Sequence, residues 1–137
     1  MQKYKFLEHT ADIKFQAFGK NLKEVFENSV LAVSEVLSKG KKVKAVKVKS
    51  IAIEGGNNEN MLQSLLEEIL YLLDAEEFIT AKAKIDFDET VRQLRVKFYG
   101  DDSRKYKEIE SIKAITYHEM FVKKIKGKWV SQVVLDV

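Results

Sequence analysis

Eight apolar residues between Met61 and Leu73 leave this chain few ways to fold. Met61, Leu62, Leu65, Leu66, Ile69, Leu70, Leu72 and Leu73 recur at helical spacing from about Asn60 to Asp74. They give that helix a face too broad and too apolar to meet water. It must lie across a second apolar surface, and the flanking segments offer one: most of them alternate apolar with polar residues at the two-residue period of a sheet. Tyr4 to Leu7 and Ile13 to Phe18 read as strands, as do Ala81 to Phe87, Val91 to Phe98, Ile112 to Ile125 and Trp129 to Leu135. Lysine-alternating residues 43–53 read as one or two more, with a phase slip near Ser50 that suggests a bulge, closed by the turn residues Gly55 to Asn58.

A first helix precedes these. Asn21 and Glu24 form a capping-box-like start, and Leu22, Val25, Phe26, Val30, Val33, Val36 and Leu37 repeat at helical spacing until Gly40 stops the helix. Asp88-Glu89-Thr90 reads as a hairpin turn, and the polar residues 101–110 as a surface loop or a single helical turn. The pattern predicts an α+β fold, with two helices packed on one face of one largely antiparallel sheet, in a single domain spanning residues 1–137. At 45% hydrophobic residues the chain can bury a core of that size.

The final hairpin admits two registers. A three-residue loop, Lys126-Gly127-Lys128, sets Ile125 opposite Trp129, Phe121 opposite Val133 and His118 opposite Asp136. A two-residue loop sets His118 opposite Leu135 and pairs Phe121 with Gln132, a poorer hydrophobic match. The first register is therefore expected. His118 then shares a strand face with Ile112, Ala114, Met120 and Val122, either as a core histidine bonded to a carboxylate or as the group that orients Asp136.

Composition removes several chemistries. There is no cysteine, so disulfides, thiolate zinc sites and cysteine nucleophiles are excluded. No apolar run is long enough to span a bilayer and no leader pattern opens the chain, so a cytoplasmic protein is expected. Of the 24 basic residues only Arg92, Arg95 and Arg104 are arginines, which disfavours direct reading of nucleic-acid sequence through bidentate guanidinium forks. The lysines from Lys39 to Lys49 can track phosphates, or guard an exposed strand edge. No phosphate-binding glycine loop, HExxH helix or convincing nucleophile and base pair is present.

The two ends of the chain carry the candidate site. Asp136 and the Val137 carboxylate close the last strand, and Glu8-His9-Thr10-Ala11-Asp12 stands just before the second. Oxygen donors of this kind suit a hard divalent cation such as Ca²⁺ or Mg²⁺, with Mn²⁺ as an alternative. Taken alone, Asp12 is equally explained as a turn cap and Asp136 as a solvated strand end; His9 either contacts the site or bonds backbone in a tight turn.

Three segments together resemble the archease family: Glu8-His9-Thr10-Ala11-Asp12, Lys113-Ala114-Ile115-Thr116-Tyr117-His118, and Val133-Val134-Leu135-Asp136-Val137. The resemblance spans essentially the whole chain. It implies a strand-helix-strand-strand module and a divalent cation at Asp12, Asp136 and the Val137 carboxylate. It also implies a protein partner of RtcB-type RNA ligases that promotes guanylylation of the ligase histidine in tRNA splicing, meeting tRNA only through the ligase. On that reading the protein is not itself an enzyme. Lys113 is a candidate phosphate contact, and His9 and His118 are candidate supporting or partner-facing residues. Two other functions stay open: a chaperone-like modulator of tRNA methyltransferases, and a stand-alone metal-assisted hydrolase with His118 as base.

Overall fold

A computed structural model of the chain describes residues 2–137. The element order is β1 (Tyr4–Leu7), β2 (Ile13–Gly19), α1 (Leu22–Ser38), β3 (Lys47–Glu54), α2 (Asn58–Glu76), β4 (Phe78–Asp88), β5 (Gln93–Asp102), β6 (Ala114–Ile125) and β7 (Lys128–Asp136), with a short 3₁₀ turn at Ser103–Lys105. Both helices begin on an asparagine whose side chain accepts from the backbone N–H three residues on, Asn21 from Glu24 and Asn57 from Asn60, each at 2.8 Å. The carboxylate of Glu24 returns to the Lys20 N–H at 3.2 Å. Lys39 and Gly40 then end α1 in the left-handed region, where the Gly40 N–H reaches the Glu35 carbonyl at 2.9 Å.

The class is α+β as expected, but the strands divide into two antiparallel sheets: β1-β2-β7-β6 and β3-β5-β4. The second sheet, with α2 between β3 and β4, is the strand-helix-strand-strand module. The first is made from the two ends of the chain. Both helices pack on strands of both sheets, which is why Val25, Phe26, Ala32 and Val33 of α1, lying on different sides of the helix, are all fully buried. One continuous core results, running from Phe15 through Leu62, Leu65 and Ile69 to Phe98 and Leu135.

Helix side chains also satisfy strand groups the sheets leave unpaired. Glu27 of α1 accepts from the Ile85 N–H at 2.8 Å. Glu59 of α2 accepts from the Val122 N–H at 2.8 Å, and Gln63 donates to the Ile115 carbonyl at 2.6 Å.

Two local expectations change. No bulge occurs at Ser50: β3 pairs with β5 without interruption from Lys47↔Gly100 to Glu54↔Gln93. The apparent phase slip arises because the covered face of this edge strand outruns its helix, so that Lys49 reaches round to Glu76 at the end of α2 (2.8 Å) while Val46 and Val48 stay exposed. The last hairpin takes the two-residue turn, with Lys126 (φ 49) and Gly127 (φ 83) both left-handed and Ile125 opposite Lys128. That turn matches the twist of the flanking strands, and Phe121 accordingly faces Gln132. Farther along, Thr116 pairs with Val134, so β6 advances five residues where β7 advances two, and three surplus residues are accommodated in a wide bulge.

Gly100 shows how closely the second sheet is drawn together. A Cβ there would collide with the Ile79 carbonyl oxygen, beside the irregularity between Thr80 and Lys82 in β4. Gly100→Ala is expected to destabilise the fold by about 1–3 kcal/mol through overpacking, read as a lower urea midpoint with an unchanged slope. A midpoint equal to that of the parent protein would show that this approach is not tight.

Candidate functional site

Pairing of β2 with β7 brings the chain ends together. Ile13 lies opposite Leu135 at the last pair of the ladder, so Asp12 and Asp136 are the residues that flank that pair, one on each chain end. Asp136 pairs with Ala114 of β6, and its carbonyl accepts from the Lys113 N–H at 2.7 Å. Both aspartates are half-buried. Among the described residues neither has a lysine or arginine within ion-pair distance; the one cationic candidate near Asp12 is His9, whose Nδ1 lies 3.9 Å from Oδ2. Two carboxylates at neighbouring chain ends, with no lysine or arginine paired to them, are the oxygen donors here that could hold a hard cation. Val137 packs its side chain partly against the core, next to them.

The irregular segment of β6 adds a second group of residues. Glu119 sits at φ 57 inside the bulge, and its carbonyl accepts from the Gln132 side-chain amide at 2.8 Å. Gln132 is nearly buried and is itself held by Gln16, whose Nε2 donates to its Oε1 at 2.9 Å. The bulge aims the Glu119 carboxylate at the loop between β1 and β2. Its Oε1 receives Lys14 Nζ at 2.8 Å, and its Oε2 lies 3.3 Å from His9 Nε2 and 2.9 Å from His118 Nε2. The loop is tight at this point, with Ala11 also in the left-handed region at φ 66. Donation from Lys14, then from His9, pulls the Glu119 carboxyl down from 4.5 to about 2, against a smaller opposing effect of desolvation.

These positions revise the reading of His118. It is not a core residue opposite Asp136: Ala114 occupies that place, and the His118 side chain is 69% exposed beside Glu119. His9 joins the site, its ring turned toward Glu119 through Nε2 while Nδ1 is buried without a hydrogen-bond partner. Lys113 presents an exposed side chain on the segment entering β6. Glu119, Lys14 and Gln132 had no motif to mark them, because their meeting depends on the bulge. Beside the loop, an open groove of about 1020 Å³ runs past Phe6, His9, Asp12, Glu35, Lys39 and Glu110.

Fold and site together define a small α+β protein in which a strand-helix-strand-strand module carries a sheet made from the chain ends, with carboxylates and histidines gathered at one end of that sheet. The chain belongs to the archease family: residues 4–137 match the family described as Archease protein family (MTH1598/TM1083). It is 36% identical over 139 residues to the protein archease of Sulfurisphaera tokodaii, covering all of both chains. The solution structure of protein 1598 from Methanobacterium thermoautotrophicum superposes with a TM-score of 0.80 at 27% identity, again over the whole of both chains. The crystal structure of a Thermotoga maritima archease, described as a possible chaperone, shares the fold with a TM-score of 0.66 at 20% identity over 96% of this chain and 94% of that one. Among the described residues no helix is long and apolar enough to cross a membrane.

The depressed Glu119 carboxyl has a signed consequence. Its folded value lies below its ordinary one, so the stability it contributes is fully present above about 4.5 and is lost as pH falls from there through about 2. Carboxyl-detected NMR should place the Glu119 midpoint near the low value, and Lys14→Met should move it up toward the ordinary carboxylate range. A midpoint unmoved by that substitution would mean that Lys14 does not hold Glu119 in solution.

Proposed function

We propose that this protein activates an RtcB-type RNA ligase, promoting guanylylation of the ligase histidine and restoring multiple turnover through a divalent-cation site at Asp12, Asp136 and the Val137 carboxylate. The observation that carries this reading is that Asp12 and Asp136 flank the last pair of the ladder between β2 and β7 with no lysine or arginine at ion-pair distance among the described residues, Asp12 lining an open groove, in a chain of the archease family. Ca²⁺, Mg²⁺ or Mn²⁺ held there would supply positive charge toward nucleotide phosphates.

The residues of this chain orient that charge. Asp136 ends β7 and Asp12 immediately precedes β2, and Lys113 on the segment entering β6 offers an exposed ammonium to a phosphate. Positioning and electrostatics of this kind act by preorganisation. Contact with tRNA runs through the ligase, and the protein needs no nucleophile of its own. The hydrolase alternative, with His118 as base, draws no support from the register, since Ala114 and not His118 pairs with Asp136 and His118 Nε2 lies 2.9 Å from Glu119. A chaperone-like role toward tRNA methyltransferases requires only a docking surface and is separated by the same experiment.

Substoichiometric protein mixed with a cognate ligase, GTP, divalent metal and cyclic-phosphate RNA should raise product above the ligase-only control. Asp12→Ala and Asp136→Asn should fold normally and lower the stimulation by on the order of tenfold or more, as loss of metal-site residues does elsewhere. Unchanged stimulation in both variants would leave the docking role in place of the cation role, and no stimulation by the parent protein would remove the activator reading. A Gly-Ser extension after Val137 should weaken Ca²⁺ binding measured by calorimetry, with an N-terminal extension of equal length as control. Equal affinity in the two extended proteins would show that Val137 donates no oxygen.

A further inference from the structure

We propose a second metal site, separate from the aspartate pair, in which His9, His118 and Glu119 bind one borderline transition ion such as Zn²⁺ or Co²⁺. One ligand atom from each of the three residues lies within 4.8 Å of the other two. Glu119 Oε2 is 3.3 Å from His9 Nε2 and 2.9 Å from His118 Nε2. Donors bound to zinc at about 2.0–2.1 Å in a tetrahedron stand about 3.3–3.4 Å apart. The two spacings to Glu119 are close to that value, the two imidazoles lie within the 4.8 Å limit of one another, and His118, the most exposed of the three, is free to adjust.

The chemistry differs from that of the aspartate pair. Two imidazoles and one carboxylate select zinc, cobalt or nickel, whereas an all-oxygen set selects calcium or magnesium. Lys14 does not block the ion, because its ammonium occupies Oε1 and leaves Oε2 facing the rings. A second observation also points to a ligand. His9 Nδ1 is buried with no hydrogen-bond partner and lies 3.9 Å from Asp12 Oδ2. Metal-bound histidines commonly donate their remaining N–H to a carboxylate, and Asp12 is the carboxylate that stands nearest that nitrogen while Nε2 faces Glu119. Three protein donors leave a coordination position for water or for a group on a partner. The ion would also tie the loop between β1 and β2 to the bulge of β6, joining strands from opposite ends of the chain.

This site goes beyond the ligase reading, and its test is independent of ligase activity. Titrate the metal-free full chain with Co²⁺ at slightly alkaline pH, following the visible absorption, then compete with Zn²⁺. One equivalent should bind saturably and be displaced by Zn²⁺. His118→Ala and Glu119→Gln should each weaken Co²⁺ binding by about a hundredfold or more, beyond the tenfold to hundredfold expected for loss of an outer partner alone. Asp136→Asn should retain Co²⁺ binding, and His118→Ala should retain the Ca²⁺ affinity of the parent protein. Absence of saturable Co²⁺ binding at millimolar concentration, or full retention by His118→Ala, would overturn the proposal. Should Glu119→Gln lower the thermal midpoint without metal, the exposed His118 variant decides alone.

Discussion

A single buried side-chain amide governs the functional end of this molecule. Gln132 donates to the Glu119 carbonyl and accepts from Gln16, bridging three strands inside one sheet. β6 has to carry three surplus residues while still pairing with β7 on either side of them. Without a donor placed at that spot, the part-buried Glu119 carbonyl would lose the one side-chain bond that ties the bulge to β7. With the donor in place, the surplus becomes a fixed projection that carries His118 and Glu119 toward the loop before β2.

The helices solve a related problem at the open edges of the sheets. A strand at an edge exposes N–H and C=O groups that invite pairing with another chain. Glu27 occupies such a group on β4, and Glu59 and Gln63 occupy two on β6. These polar residues sit on helices otherwise committed to apolar contact. Each helix thus both fills the core and closes an edge, and α2, bonded to Ile115 and to Val122, fixes β6 on both sides of the bulge.

Elements were more legible in the sequence than the pairing between them. Periodicity located both helices, Asn21 marked the start of the first, and alternation located the strands, because those signals act over a few neighbouring residues; Asn57, read as a turn residue, proved to be the cap of the second helix. Division into two sheets was hidden, since alternation reveals a buried face but not which strand lies beside which. The final register misled for a specific reason. Matching apolar residues across the hairpin penalises Gln132 opposite Phe121, yet Gln132 is there to satisfy backbone and Gln16 rather than to pack against its partner. Asp12 and Asp136 could be singled out because each flanks a strand end. Glu119 and Lys14 could not, because the bulge that joins them breaks the two-residue period on which strand reading depends.

The sheet that holds these residues has a temporal consequence. Its central pair, β2 with β7, joins segments from opposite ends of the chain, whereas the β3-β5-β4 sheet closes within a continuous stretch. Contacts so distant in sequence carry a large loop-closure entropy and form only once the intervening chain is compact. During synthesis, β7 emerges last, and until it does Asp12 has no Asp136 beside it and Glu119 has no Gln132 to hold it. The charged end of the molecule is thereby a certificate of completed folding: a nascent or truncated chain has the residues of one half but never the arrangement that both halves make.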